Sequence, residues 1–347
     1  MKVAFWMGVL VLLVAFAYRP LTHAGFVYED ARWMQLEAPG LALRDRPLMA
    51  WSWWAQSRWT PSPSAFHGVN VGLHLLVAVL FGVLLWRLGL SRIAAVFGAA
   101  LLALHPLASE PVAYLSARPE LFAAIGILGA CALALTRWRW WTALSVLVAV
   151  LFGLAGKETA LVALMLVPFL LWRTGHQRAR WAGLGSAVLL LAGVTLQGGW
   201  LSIINRGDMT IEQAGLMVST TAAWFPWLAL QATAAMRLLG QAVFSLLPAT
   251  SALTVDYDYD LLAGWVRLGS VLALIAMGIL AYRQRHTRPL VTIGLGWFLL
   301  ALLPRLIVQT PRGYLNEHQF LVPFMGLLIT FVAIWDKWAC PEHYSHQ

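Results

Sequence analysis

Apolar runs recur along the chain with short polar breaks between them, and within each run the apolar positions are continuous rather than alternating. Runs of ~17–22 residues cross the ~30 Å hydrocarbon layer of a bilayer as helices. Continuity argues against the in–out alternation of a membrane barrel. A backbone in lipid must satisfy its own polar groups, so helices are predicted. The spans fall at 3–18, 66–86, 93–108, 120–136, 140–156, 159–172, 181–198, 264–282, 289–305 and 319–335. The stretch 216–247 is apolar but broken by Pro226 and Arg237, and either crosses twice or lies as interfacial helices. The expectation is an all-α polytopic membrane protein of about ten to twelve helices. It forms one integral-membrane domain over 1–347, with no soluble domain or low-complexity tail. Residues 19–65, rich in Trp, Pro and Arg, form a first outward loop with short interfacial helices, and 199–263 is an irregular outward region.

Composition agrees, with 60% hydrophobic and 11% charged residues, against roughly 25% charged in soluble domains. A net charge of +9 would suit nucleic acid, but its distribution argues otherwise. Arg87 and Arg92, Arg137 and Arg139, Arg173, Arg178 and Arg180, and Arg283, Arg285 and Arg288 sit in short loops without Asp or Glu. Such loops face the cytoplasm under the positive-inside rule, and no nucleic-acid module accompanies them. Trp51, Trp53, Trp54 and Trp59, and Trp138, Trp140 and Trp141, read as interfacial anchors. Cys131 and Cys340 give neither a disulfide framework nor zinc spacing. Ala15-Phe16-Ala17 resembles a signal-peptidase site, so cleavage is the alternative to a retained first helix.

This topology gathers polar groups at one outward rim. Glu29, Asp30, Arg46, His105, Glu110, Arg118, Glu120, Lys157, Glu158, Asp256, Asp258, Arg312, Glu317 and His318 come from separate loops to the same membrane face. Transporters place ionisable groups near the midplane, so the pattern favours chemistry at a surface. Each group also has a plainer role. Glu29-Asp30 would cap a helix, Arg118, Lys157 and Arg312 would snorkel to headgroups, His105 would end a helix, and Glu110 would pair with Arg118.

Several segments resemble, in order, the motifs of the transmembrane O-mannosyltransferase family whose animal members carry tetratricopeptide repeats. Phe26-Val-Tyr28-Glu29-Asp30 is similar to its F-x-Y-D-D motif, and Arg46-Pro47-Leu48 to its R-P-L segment. Phe66-His67-Gly68-Val69-Asn70, with His74, resembles the stretch opening its second helix. The segment from Leu104-His105-Pro106 through Glu110 and Val112-Ala113-Tyr114 to Arg118, Glu120 and Leu121 resembles its most specific stretch. Gly156-Lys157-Glu158-Thr159, Asp256-Tyr257-Asp258-Tyr259-Asp260, and Asn316-Glu317-His318-Gln319 with Pro323 complete the series. Glu29 stands where the family has Asp, Gln319 where a basic residue is common, and no repeats follow within the chain.

The resemblance implies a GT-C glycosyltransferase of the hexosyl-transferring class, with mannose as one candidate sugar and the sugar itself left open, fed by a polyprenyl-phosphate sugar. Asp30, with Glu29, would take the acceptor hydroxyl's proton. Arg118, Lys157, Arg312 and His318 would bind the donor phosphate, with Arg46, His105, Glu110, Asp256, Asp258 and Glu317 supporting the site. A single displacement inverts the sugar. A divalent metal on Asp30, Glu110 or Asp258 is compatible with oxygen ligands, though no spacing specifies it. The expected partners are the lipid-linked donor, membrane lipid, and a glycan, lipid or protein acceptor, without nucleic acid. The expected location is a bacterial inner membrane with the site facing the periplasm. The alternative is a transporter or flippase of lipid-linked sugars; a catalytically silent scaffold is a third reading.

Overall fold

The structure, a computed structural model, describes residues 2–27, 30, 46–136, 140–196, 224–244, 264–307 and 316–341. Among these residues all regular structure is helical. The contacts group into two compact units, Met1–Ala163 with Leu327–Gln347, and Leu164–Gly326.

The first unit holds α1 (Lys2–Ala17), α2 (Pro47–Trp59), α3 (Pro63–Arg87), α4 (Arg92–Leu104), the single turn α5 (Glu110–Ala113), α6 (Arg118–Ala134) and α7 (Trp140–Gly156). Local chemistry sets these limits. Pro47 and Pro63 open α2 and α3, where a missing N–H costs nothing. Ser62 and Ser91 cap α3 and α4 by accepting from the backbone N–H of Ala65 and Ala94. Gly89, at φ +93°, supplies the left-handed residue that turns α3 into α4. The expected span 93–108 stops early: Pro106 pushes His105 out of helical conformation, and α4 meets Pro106–Ala113 at 66°.

Helix α6 is the centre of this unit, packed against α3 and α7. Inside a bilayer apolar burial drives little association, so close backbone approach takes over. The bare faces of Gly126 and Gly153 supply that approach between α6 and α7. The C-terminal half of α13 (Glu317–Ala339) also belongs to this unit, with Phe97 of α4 against Phe331 and Trp335. Asp336 accepts from the backbone N–H and the hydroxyl of Ser91, anchoring that half to the start of α4.

The second unit holds α8 (Ala163–Arg173), α9 (Ala179–Leu196), α10 (Trp224–Phe244), α11 (Gly264–Arg283), α12 (Pro289–Ile307) and the start of α13. α11 packs against α10 and α12, and the indole N–H of Trp297 donates to the carbonyl of Val322 on α13. Of the stretch 216–247, residues 224–244 are described as one helix, which contains both Pro226 and Arg237. The rest of 216–247 lies outside the described residues.

Among the described residues five helices are long and apolar enough to cross a membrane: Pro63–Arg87, Leu115–Ala134, Gly264–Arg283, Pro289–Leu306 and Glu317–Ala339. A sixth arises if the bent α4 pair counts as one span, and Phe5–Ala17 and Trp141–Gly156 are shorter apolar helices. Large apolar side chains cover outer faces, with Leu12, Phe16, Trp265 and Ile279 all more than half exposed. Faces of that kind suit lipid rather than water.

Candidate functional site

The first unit brings several motif segments together at one end. That end carries the C-termini of α4 and α7 and the N-termini of α3 and α6.

Asp30 is fully buried. One carboxylate oxygen accepts from the backbone N–H of Ser116 at 3.0 Å and from its hydroxyl at 2.6 Å. The other accepts from the N–H of Val27 at 3.0 Å, while the N–H of Asp30 donates to the carbonyl of Val27. A carboxylate offers about four acceptor positions; three are filled here, and the fourth is on the oxygen facing Val27.

Arg118 opens α6 and is also fully buried. Its Nε donates to the side-chain oxygen of Asn70 at 2.7 Å, and its terminal nitrogens donate to the Ser52 hydroxyl at 3.4 Å and the Phe66 carbonyl at 3.3 Å. Its carbon centre sits 5.6 Å from the Trp53 ring centroid and 5.3 Å from that of Phe66. Phe26 closes the same aromatic cluster. A guanidinium has five N–H groups, so three bonds leave two over. Asp30 acts on this charge electrostatically, yet among the described residues no carboxylate lies within ion-pair distance of Arg118. The pairing of Glu110 with Arg118 considered from the sequence therefore does not form. Glu110 instead begins the short α5, and α6 turns Arg118 toward Asn70 on α3.

His67 completes this group. It is 2% exposed, and neither ring nitrogen has a well-formed hydrogen bond. The backbones of Gly25 and Val112 lie beside the ring, and both Asp30 and Arg118 act on it electrostatically. His67, Asn70 and His74 recur at helical spacing and make one polar stripe on the otherwise apolar α3. His74 faces the carbonyl of Ala103, to which the Tyr18 hydroxyl also donates.

Lys157, just past α7, forms a 2.6 Å ion pair with Glu120 in the first turn of α6. The Thr159 hydroxyl donates to the second Glu120 oxygen at 3.2 Å. Lys157 and Glu120 are 5% and 2% exposed. His105 ends α4 and caps the following turn, its Nδ1 accepting from the N–H of Leu107. Arg46 stands half-buried just before α2. Glu317 and His318 begin α13 within the second unit. Glu29, Arg312, Asp256 and Asp258 lie outside the described residues.

The structure thus joins Asp30 to Arg118 electrostatically and sets Lys157 against the same first turn of α6. Where a solvated rim was expected from sequence, Asp30, Arg118, Glu120 and Lys157 are buried, and hydrogen-bond donors, acceptors and aromatic rings stand in for water around them. Trp53 follows the same logic. Expected as an interfacial anchor, it is fully buried against Arg118, while Trp51 and Trp59 of the same helix are exposed. Glu120 was placed at the outer rim, and His67 and Asn70 were quoted within motifs, but these three and Ser116 were given no site role from sequence. The spacing on α3 and the Ser two positions before Arg118 were the available signals. Among the described residues no three His, Cys, Asp or Glu side chains form a metal-holding group.

No family model, curated protein or solved structure matches this chain.

Proposed function

We propose that the chain is an integral-membrane glycosyltransferase of the GT-C type, similar to the transmembrane O-mannosyltransferases. It moves a sugar from a polyprenyl-phosphate donor to an acceptor hydroxyl, with the site on the periplasmic side of a bacterial inner membrane. The observation that carries this reading is the buried Arg118 guanidinium, which among the described residues has two N–H groups in excess and no carboxylate in contact, with the buried carboxylate of Asp30 acting on it electrostatically. An unneutralised buried cation is costly, and a phosphate oxygen is the partner its planar fork fits best. Support also comes from convergence. Phe26–Asp30, the α3 stripe, the Ser116–Glu120 stretch and Lys157 were separate motifs of the family resemblance, and they meet around α6.

In this mechanism the acceptor oxygen forms a bond to the anomeric carbon while the anomeric carbon–phosphate oxygen bond breaks. The bond's electron pair leaves on the phosphate, held by Arg118. The acceptor proton passes to the free position on the Asp30 oxygen facing Val27. One displacement inverts the sugar.

The test is incubation of purified protein with radiolabelled polyprenyl-phosphate sugars and a membrane acceptor fraction. Transfer of label to a new product is expected, and Asp30→Asn lowers it by ~10²–10⁴-fold. Its fold is checked in parallel, because an Asn amide set against the Val27 N–H costs about 1–3 kcal/mol. Label that only crosses vesicle leaflets still attached to polyprenyl phosphate would replace this reading with the transporter one.

A further inference from the structure

The second unit contains a cleft of about 290 Å³ between α8, α11 and α12. Its walls are apolar: Phe169, Gly278, Gly296 and Leu299 line it, and Arg173 and Arg285 stand at its border. The Phe169 ring packs directly on the bare face of Gly296, where a Cβ would strike it, and a Cβ on Gly278 would be in ordinary contact with Leu299.

The two arginines are held in an arrangement that calls for an anion. Arg173 ends α8 and donates to the carbonyl of Arg285, in the turn between α11 and α12. Arg285 donates to the carbonyl of Tyr282 and lies 3.7 Å from that ring's centroid. These carbonyl contacts occupy one nitrogen of each group and neutralise neither charge. The Nε of Arg173 is buried without a partner, and the two guanidinium groups act on each other as like charges. Among the described residues of this unit the sole carboxylate is Glu317. It sits nine residues before Gly326, which packs on Gly294 and Phe298 of α12, and so lies toward the opposite end of that helix. The surrounding segment adds Arg283, His286 and Arg288, with no acid.

We propose that this cleft is a binding site for an anionic phospholipid, its phosphodiester bridging Arg173 and Arg285 and part of one acyl chain lying along Gly278 and the Phe169 ring. A basic border on an apolar cleft between membrane helices is the chemistry that selects an anionic headgroup over a zwitterionic one. Free phosphate satisfies the arginines but leaves the apolar cleft without an occupant, so the lipid is the occupant that accounts for both features. This site is independent of the glycosyltransferase reading.

The experiment is native mass spectrometry of the full chain in mild detergent, titrated with phosphatidylglycerol or phosphatidylcholine. Phosphatidylglycerol binds at least about tenfold more tightly, and the double change Arg173→Gln with Arg285→Gln removes that preference. Gly278→Leu keeps both charges and fills the cleft. It also lowers phosphatidylglycerol retention about tenfold, and it decides the matter if the double variant fails to fold. Excess inorganic phosphate leaves the bound lipid in place. Equal affinity for the two lipids, unchanged retention in Gly278→Leu, or full displacement by inorganic phosphate would each overturn the proposal.

Discussion

Lys157 and Glu120 form a buried ion pair whose worth differs from its appearance. Each charge gave up water to reach its position, so the pair is stable mainly in relation to its broken forms. Replacing Lys157 with Met takes the cation away from the buried Glu120 carboxylate, to which the Thr159 hydroxyl also donates. The expected loss is about 3–5 kcal/mol, measured as thermal or denaturant unfolding in detergent. Glu120→Gln combined with Lys157→Met removes both charges and recovers most of that loss. A double variant as unstable as the single one would mean that the attraction outweighs the desolvation. Arg118 differs in kind, because its contacts are neutral oxygens and aromatic faces. That contrast separates a structural cation from one with capacity left for a ligand.

Helices α6 and α7 meet through missing side chains. A Cβ on Gly126 would lie 2.5 Å from the Cα of Gly153 and 2.6 Å from the carbonyl oxygen of Ala149. Both are backbone atoms, so no rotamer change relieves the clash, and the helices must separate. Gly126→Ala is expected to cost about 1–3 kcal/mol and to broaden or aggregate the gel-filtration peak. Gly129→Ala on the same helix meets only the Cβ of Ala149 at 3.6 Å and serves as the control, with stability held or slightly raised. Equal effects of the two changes would remove close backbone approach as the reason these helices pack. Separation would also disturb the first turn of α6, where Arg118 and Glu120 sit, so the element and the candidate site are coupled.

At the scale of the molecule, the basic clusters predict which end of each unit faces the cytoplasm, and the two cysteines supply a probe. Cys131 is fully buried in α6, while Cys340 follows α13 and is partly exposed. Its N–H bonds to the carbonyl of Asp336, whose side chain holds Ser91 beside Arg92. Cys340 therefore reports the basic end. In intact spheroplasts of a bacterial host, an impermeant maleimide leaves the protein unlabelled, and permeabilisation adds about one label per chain. Labelling before permeabilisation would reverse the orientation and place the Asp30 end in the cytoplasm.

The existence of several helices was legible from the sequence because hydropathy acts locally, although the end of 93–108 was not. The expected spans 66–86, 264–282 and 289–305 became Pro63–Arg87, Gly264–Arg283 and Pro289–Ile307. Asp30, Arg118 and Lys157 were legible as ionisable residues at the ends of apolar segments. Their partners depended on three-dimensional packing. Ser116 closes on Asp30 across 86 positions, Asn70 and Trp53 enclose Arg118, and Glu120 takes Lys157. Local pattern fixes which segments become helices, since each helix satisfies its own backbone. Which buried charge meets which dipole is settled only when distant helices pack, because that choice depends on crossings and side-chain shapes that no local window of the chain contains.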